Sequence, residues 1–197
     1  MKIAGSNPAG GTSTPGVSVA ASPVHPMTDV DEIIRTLGLR PLEAEGGYFA
    51  ETWRGPEIAL PPEAATLAGE RRALGTAIYY LITPSSFSAL HRLRSDEVFH
   101  FYAGDPCQML LLGPRGEVSH PVLGTNLVDE MRPQVTVPAG WWQGTRLLQP
   151  AEGGFALLGT TMAPGFHPDD FELAERQGLR TEYPDQQHLI ARFFPST

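Results

Sequence analysis

Cysteine is almost absent from this sequence. The 197 residues include one, Cys107, which excludes an intramolecular disulfide framework and a metal site built from several thiolates. A single thiol fits the reducing conditions of the cytoplasm, where we expect the protein to reside. Cys107 itself is predicted to be a small buried hydrophobic residue rather than a nucleophile.

Long apolar runs and positive charge are also scarce. No run approaches the roughly 20 apolar residues that a membrane-spanning helix needs. Lysine and arginine total 14 against 22 acidic residues, which gives a net charge of -8. Nucleic acids and anionic membranes recruit basic surfaces, so we expect neither as a partner. A small-molecule ligand is the partner that we expect.

The chain divides into a tail and one domain. Residues 1–26 are rich in Gly, Ser, Thr and Pro and contain no aromatic residue, so they are predicted to be disordered. Residues 27–197 are predicted to form a single domain, which is long enough for a sizeable core. The domain begins with a short amphipathic helix that is capped by Thr28 and ends at Gly38.

Short strands separated by turns dominate the rest of the domain. Eight are predicted, over residues 47–53, 76–83, 87–93, 97–102, 108–112, 117–123, 134–137 and 155–162. Because no helix-length segment separates most of them, they are expected to pair antiparallel in a sandwich or barrel. Residues 55–72 are predicted to form an exposed loop, and residues 185–194 a helix that caps one end of the barrel.

Side chains suited to proton transfer or metal binding are concentrated in residues 88–106. Side chains alternate between the two faces of an extended strand, so His91 and Glu97 are predicted to face each other across the barrel interior. A histidine and a carboxylate in a partly apolar cavity are suited to proton transfer or to metal ligation. His100 has the opposite parity and shares its face with Tyr102.

The spacing of these residues resembles the cupin superfamily, whose first motif is His-x-His followed by Glu and then Gly, and whose second is Pro-x-Gly-x-x-His. His91, Glu97 and Gly104 match the first motif, and residues 138–140 begin the second. Two ligand positions depart from the pattern. Leu93 stands where the second histidine is expected, and Gln143 stands where the final histidine is expected.

The resemblance is closer to one family. The segments GGYFAETWR, TAIYYLITP, HRLRSDEVFHFYAGDP, RPQVTVPAGWWQ and TMAPGFHPDDFE are similar to those of the cupin family DUF985, or cupin_5. The resemblance implies an all-β fold, a double-stranded β-helix of the RmlC-like jelly-roll type, with short helices flanking it at both ends. It also implies a homodimer, in a family whose biochemical function is largely unassigned.

Two interpretations of the site remain open. In the first, His91, Glu97 and Gln143 bind a divalent metal weakly, because they offer one nitrogen and two oxygens where cupin sites have three histidines and a glutamate. In the second, no cofactor is required, and His91 is a catalytic acid or base tuned by Glu97. The residues predicted to contact a ligand are Glu51, Phe99, His100, Tyr102, Trp142 and Gln143.

Several partners are also predicted. A buried Glu97 requires a partner, for which His91 or Arg54 is expected. Strict alternation places Glu51 and Arg54 on different faces of their strand. One of the adjacent tryptophans 141 and 142 is expected to line the pocket, and the acidic residues 169, 170 and 172 to form a solvated face.

Three functions are compatible with this sequence. The preferred one is a metal-independent isomerase or epimerase that acts on a small, carbohydrate-like molecule in the barrel pocket. The alternatives are a non-catalytic ligand-binding module and a metal-dependent oxygenase or hydrolase.

Overall fold

A computed structural model of the protein describes residues 29–60, 67, 71–149 and 154–194. The segment 1–26, for which disorder is predicted, lies outside these residues. No helix in the described part of the chain is long and apolar enough to cross a membrane.

The described residues are mostly strand. The strands are β1 (Arg40–Pro41), β2 (Tyr48–Arg54), β3 (Glu57–Ala59), β4 (Arg71–Ala73), β5 (Thr76–Ile82), β6 (Ser88–Arg92), β7 (Glu97–Gly104), β8 (Cys107–Leu112), β9 (Val118–Ser119), β10 (Val122–Leu123), β11 (Gln134–Val137), β12 (Trp142–Leu147), β13 (Ala156–Met162) and β14 (Glu172–Leu173). The helices are α1 (Val30–Leu37), α2 (Arg176–Glu182) and α3 (Gln187–Ala191), with 3₁₀ turns at Pro168–Asp170 and Pro184–Gln186.

Two antiparallel sheets face each other. Among the described residues, the first has the order β1-β2-β5-β13-β7-β11, and the second has the order β10-β8-β12-β6-β14 with β9 paired to β8. Strands far apart in sequence are neighbours in both sheets, as in a jelly roll. The predicted all-β fold is confirmed.

One end of the space between the sheets is filled by apolar side chains. They come from alternate positions of facing strands, which is the pattern expected when one face of each strand is buried. The fully buried members include Tyr80, Ile82, Phe99, Cys107, Met109, Leu123, Ala156 and Leu158. Cys107 has no exposed surface, so the prediction that this cysteine is buried is confirmed. Burial raises the pKa of its thiol to about 12.

Helices pack on part of the outer face of each sheet. Ile33 of α1 packs with Leu81 and Tyr79 on the first sheet. The C-terminal helices bury Ile190 and neighbouring apolar residues against the outward side chains of the second sheet, such as Leu110. The C-terminal helix was predicted to cap an end of the barrel; instead it covers a face, because Leu90, Leu110, Leu112 and Trp142 of β6, β8 and β12 form an apolar cluster there.

The first helix begins one residue later than predicted. Its N-cap is Asp29, whose carboxylate accepts a hydrogen bond from the backbone N–H of Asp31 at 3.2 Å. The sequence favoured Thr28, which lies outside the described residues. The end of the helix is as predicted, because Gly38 adopts the left-handed conformation with φ of 62°.

Three sheet predictions need correction. The strand predicted over 117–123 is divided into β9 and β10, since Pro121 between them has no N–H for a ladder. Strand β12 was missed because its interior positions include the polar Gln143 and Thr145. Within the predicted exposed loop 55–72, β3 and β4 form a hairpin, and Arg72 is 2% exposed.

Candidate functional site

A cavity of about 270 Å³ occupies the end of the interior that the core leaves open. Its walls are mainly apolar and come from both sheets and from the loop before β2. The apolar residues are Leu42, Ala44, Phe49, Ile78, Leu93, Met162, Phe166, Pro168 and Phe171. The polar residues are Glu45, Glu51, Thr76, His91, Glu97 and Thr160. The sequence prediction that His91 and Glu97 face a common interior is therefore met.

His91 is held in one orientation on β6. Its ring is almost fully buried and is stacked on Phe171, with ring centroids 5.2 Å apart. Its Nδ1 atom lies 2.8 Å from the carbonyl oxygen of Ala89. Because a carbonyl oxygen only accepts, Nδ1 carries the hydrogen of this bond, and a neutral ring then keeps its lone pair on Nε2.

Glu97 begins β7 and is 7% exposed. Its Oε2 atom accepts a 2.6 Å hydrogen bond from Nε2 of Gln143, which is the direct partner that the sequence did not identify. Burial raises the pKa of the Glu97 carboxyl, the His91 ring opposes this, and the carboxylate of Glu45 adds to it. Glu97 therefore holds a proton more readily than an exposed glutamate does.

Glu45 is a site residue that sequence reasoning missed. Its Oε2 atom lies 3.8 Å from Nε2 of His91, and its Oε1 atom accepts a 2.6 Å hydrogen bond from the hydroxyl of Ser88. The following Gly46 has a φ of 105° and approaches the carbonyl of Phe87 so closely that a Cβ would collide with it. The glycine pair after Glu45 was the available signal for this tight approach.

Glu51 lies at the rim of the cavity and is paired with Arg54. Both Nε and Nη2 of the guanidinium donate to the carboxylate, at 3.0 and 2.7 Å. The prediction that these residues occupy different faces is wrong, because a bulge in β2 between Glu51 and Trp53 breaks the alternation. Arg54 is consequently a partner of Glu51 and not of Glu97.

Five predicted ligand contacts are not among the residues that line the cavity. One of them, Gln143, is buried and donates its amide hydrogen to Glu97. Phe99 is in the filled core at 1% exposure. His100 and Tyr102 are stacked on the outer face of the first sheet, as their parity requires, and His100 bonds to Thr161 there. Trp142 packs on the outer face of the second sheet beneath the C-terminal helices. Position 142 was expected to line the pocket, but on β12 it is the alternate residues that point inward.

One wall of the cavity is fixed by a buried ion pair. Arg72 of β4 and Asp170 are 2.5 Å apart, with side chains 1% and 0% exposed. Arg72 also donates to the carbonyl of Gly165 at 2.8 Å. These contacts tie the hairpin to the segment that carries Phe166 and Phe171. The prediction of a solvated acidic face is thus wrong for Asp170.

The residues present do not fit a cupin metal centre. His91 supplies one imidazole nitrogen, while Leu93 contributes only an apolar side chain to the cavity wall. Gln143 directs its amide nitrogen toward Glu97, and an amide nitrogen is a donor rather than a ligand. In the described part of the chain, no group of three His, Cys, Asp or Glu side chains is arranged to hold a metal ion.

Comparison with known proteins agrees with this architecture. The chain belongs to the cupin superfamily family DUF985, whose model matches residues 31–174. The resemblance inferred from sequence is thereby confirmed.

Individual relatives share both sequence and fold. The uncharacterized protein YML079W of Saccharomyces cerevisiae is 33% identical over 135 residues, which cover 65% of each protein and so less than two thirds of the yeast chain. The solved structure of protein SO0799 from Shewanella oneidensis has a TM-score of 0.74 and 31% identity, covering 86% of this chain and 99% of that one. A hypothetical protein from Leishmania major has a TM-score of 0.74 and 30% identity, with 86% and 100% covered.

Proposed function

We propose that the protein binds a small carbonyl compound in the barrel cavity and transfers protons at the carbon next to the carbonyl, without a metal. This is chemistry of the isomerase or epimerase type. The observation that carries the proposal is the bond from Nδ1 of His91 to the Ala89 carbonyl. It leaves Nε2 as a proton acceptor in a cavity that is also lined by Glu97, whose carboxyl pKa is raised by burial.

His91 is suited to be the base. Its position is fixed by the backbone hydrogen bond and by the Phe171 ring, so Nε2 needs no rearrangement to accept a proton. The apolar walls exclude water, which would otherwise compete for the same lone pair.

Glu97 is suited to be the acid. In the step we propose, Nε2 of His91 removes the proton, the C–H electron pair forms the enol double bond, and the carbonyl oxygen takes the proton of Glu97. The products of this step are an imidazolium and a carboxylate, so the net charge of the site is unchanged. Exchange of the imidazolium proton with solvent, followed by its return to the same carbon, gives exchange of the substrate C–H. In an α-hydroxy carbonyl compound, delivery of a proton to the former carbonyl carbon, with loss of the proton of the neighbouring hydroxyl group, gives isomerisation.

The cavity favours a compact ligand. Its volume of about 270 Å³ is at or below the lower end of the usual range for ligand pockets. Nine of the residues that line the cavity are apolar. A polyhydroxylated ligand would therefore have many hydroxyl groups without hydrogen-bond partners in this cavity. We therefore favour a carbonyl compound with an apolar portion over the carbohydrate-like molecule that was predicted from the sequence.

Solvent exchange tests this function. The protein is incubated in D₂O with 2-hydroxyacetophenone, and loss of the signal from the CH₂ next to the carbonyl is followed by proton NMR. We expect exchange above the buffer rate with the natural protein and loss of about 100-fold or more of that excess in H91A, since a positioned base contributes about 10²–10⁴-fold. The matched control is H100A, because His100 lies on the outer face; it is expected to exchange normally. Exchange that persists in H91A, or none above the buffer rate, contradicts the proposal.

A binding module without turnover is the second candidate, and the mainly apolar lining of the cavity favours it. A ligand that binds only the native state raises its apparent stability. A rise in melting temperature with 2-hydroxyacetophenone, together with no exchange, would support this candidate over catalysis.

We also propose that the protein is a cytoplasmic homodimer without a nucleic-acid or membrane partner. The edge strand β11 supports dimerisation, because an open sheet edge is a surface that proteins cover. The net charge of -8 and the single buried cysteine support the rest. Light scattering coupled to gel filtration tests the dimer; a monomer mass at micromolar concentration contradicts it.

A further inference from the structure

We propose that the cavity selects ligands that carry a positively charged amino group, and that Glu45 is the carboxylate that receives this group. The inference rests on the proposed function only in that both assign the same cavity to the ligand. It specifies the charge of the substrate class, which the proton-transfer chemistry leaves open.

The ionisable side chains of the lining are acidic apart from His91. Three glutamates, Glu45, Glu51 and Glu97, line the cavity, and within the described residues no lysine or arginine side chain lines it. An anionic ligand would enter an apolar space beside carboxylates with no cation to balance it, at a high desolvation cost. The lining therefore disfavours carboxylate and phosphate ligands.

Glu45 is the glutamate whose charge is left for a ligand. The carboxylate of Glu51 receives two hydrogen bonds from the guanidinium of Arg54. Glu97 accepts a hydrogen bond from the Gln143 amide and is 7% exposed. Glu45 receives the neutral hydroxyl of Ser88 on Oε1, which leaves Oε2 directed toward the ring of His91.

Glu45 and His91 direct two hydrogen-bond acceptor atoms toward each other in the cavity. Oε2 of Glu45 and Nε2 of His91 are 3.8 Å apart, too far for a direct hydrogen bond. With the hydrogen of a neutral ring on Nδ1, neither atom supplies a donor to the other. An ammonium group supplies several donors. Bound to Glu45, it would bring the adjacent carbon of the same ligand to Nε2 of His91, where the proposed proton transfer takes place.

Aromatic rings complete the environment of a cation. Phe49, Phe166 and Phe171 line the cavity together with these carboxylates. The face of an aromatic ring attracts a cation, and the combination of rings and a carboxylate is suited to alkylammonium groups. The same rings accept the apolar part of the ligand.

Three probes that differ in charge test the inference. Binding of benzylamine, benzyl alcohol and benzoate to the full chain is measured at neutral pH by ligand-observed NMR titration. We expect benzylamine to bind about tenfold more tightly than benzyl alcohol, since a hydrogen bond to a charged group contributes about 1.5–3 kcal/mol. Benzoate is expected not to bind.

Substitutions at Glu45 and Glu43, in the turn before β2, test whether Glu45 is the carboxylate that binds the amino group. E45Q is expected to bring the two affinities within about twofold of each other, while E45D retains a preference for the amine. The matched control is E43Q, because Glu43 is exposed in the same turn and does not line the cavity; it should behave as the natural protein. Circular dichroism verifies that each variant is folded.

Several results overturn the inference: equal affinity for amine and alcohol, preference for benzoate, an amine preference that survives in E45Q, or no binding of benzylamine. Its failure is distinguishable from failure of the proposed reaction. Exchange of 2-hydroxyacetophenone that depends on His91 can occur without amine selectivity, and amine selectivity can occur without exchange.

Discussion

Gln143, which occupies the position of the final histidine in the cupin pattern, donates a 2.6 Å hydrogen bond from its Nε2 to Oε2 of Glu97. The two residues lie on different sheets, β12 and β7. In the cupin motif, the residues at these two positions are both metal ligands. In this protein they are joined directly by a hydrogen bond. The Oε1 atom of Gln143 is buried with no hydrogen-bond partner in the described part of the structure. The hydrogen bond to Glu97 therefore comes from the amide nitrogen alone.

Restoring two histidines should create a metal site. The double variant L93H/Q143H would join His91 and Glu97 in a donor set of three imidazoles and one carboxylate. We expect this variant to bind one Ni²⁺ or Zn²⁺ per chain, at least about tenfold more tightly than the natural protein, because imidazole is a far stronger ligand than leucine or amide. Elemental analysis after dialysis against the metal measures the difference.

Two further variants test whether the introduced histidines and Glu97 bind the metal together. The single variant L93H should bind metal less tightly than the double variant, and adding E97A to the double variant should weaken its binding. A natural protein that retains stoichiometric metal through purification without chelators, and loses it in E97A, would contradict our interpretation of the site.

The buried pair of Arg72 and Asp170 should contribute strongly to stability. R72M removes the guanidinium that forms the ion pair with the buried Asp170 carboxylate, so we expect a loss of about 3–5 kcal/mol in the free energy of unfolding. R71M is the matched control, because the neighbouring Arg71 pairs with Glu57 at the surface; it should cost less than about 1 kcal/mol. Urea denaturation gives both values, and equal losses would show that the buried pair has no special role.

Glu97 should make stability depend on pH in an unusual direction. The pKa of its carboxyl is raised in the folded protein above the ordinary 4.5. Between those two pKa values the folded state therefore holds a proton that the unfolded chain has released, and the free energy of unfolding falls as pH rises. The stabilisation is complete below pH about 4.5 and is lost as pH passes through the folded-state pKa.

The variant E97Q isolates this contribution because it cannot titrate at this position. We expect the natural protein to lose stability relative to E97Q as pH rises from about 4.5 toward neutrality. Urea denaturation of both proteins across this range measures the difference. A difference that is constant, or that increases with pH in favour of the natural protein, would contradict a raised pKa.

The fold was predictable because its signals are local. Alternating apolar residues and turn-forming glycines and prolines located seven of the eight predicted strands close to their observed bounds, and the exception contains Pro121. β12 escaped because Gln143 and Thr145 point inward. Its burial depends on partners in other strands, which one sequence segment does not show.

The site was predictable only in part, for a similar reason. His91 and Glu97 were identified because strand parity and motif spacing agree. Glu45 lies in an irregular turn, and its place beside His91 depends on a close approach between Gly46 and another strand. Alternation also misplaced Glu51 relative to Arg54, since a bulge is a departure from the periodicity on which the prediction depends.

The most direct test of this account reads the protonation of His91 itself. Long-range proton–nitrogen correlation NMR on ¹⁵N-labelled protein at neutral pH distinguishes the two neutral tautomers from the imidazolium, and H91A assigns the signals. The account predicts that the base form of the ring carries its hydrogen on Nδ1 and its lone pair on Nε2, where it can accept a proton in the cavity. A hydrogen on Nε2, in either the other tautomer or a permanent imidazolium paired with Glu45, would contradict the assignment of His91 as the base.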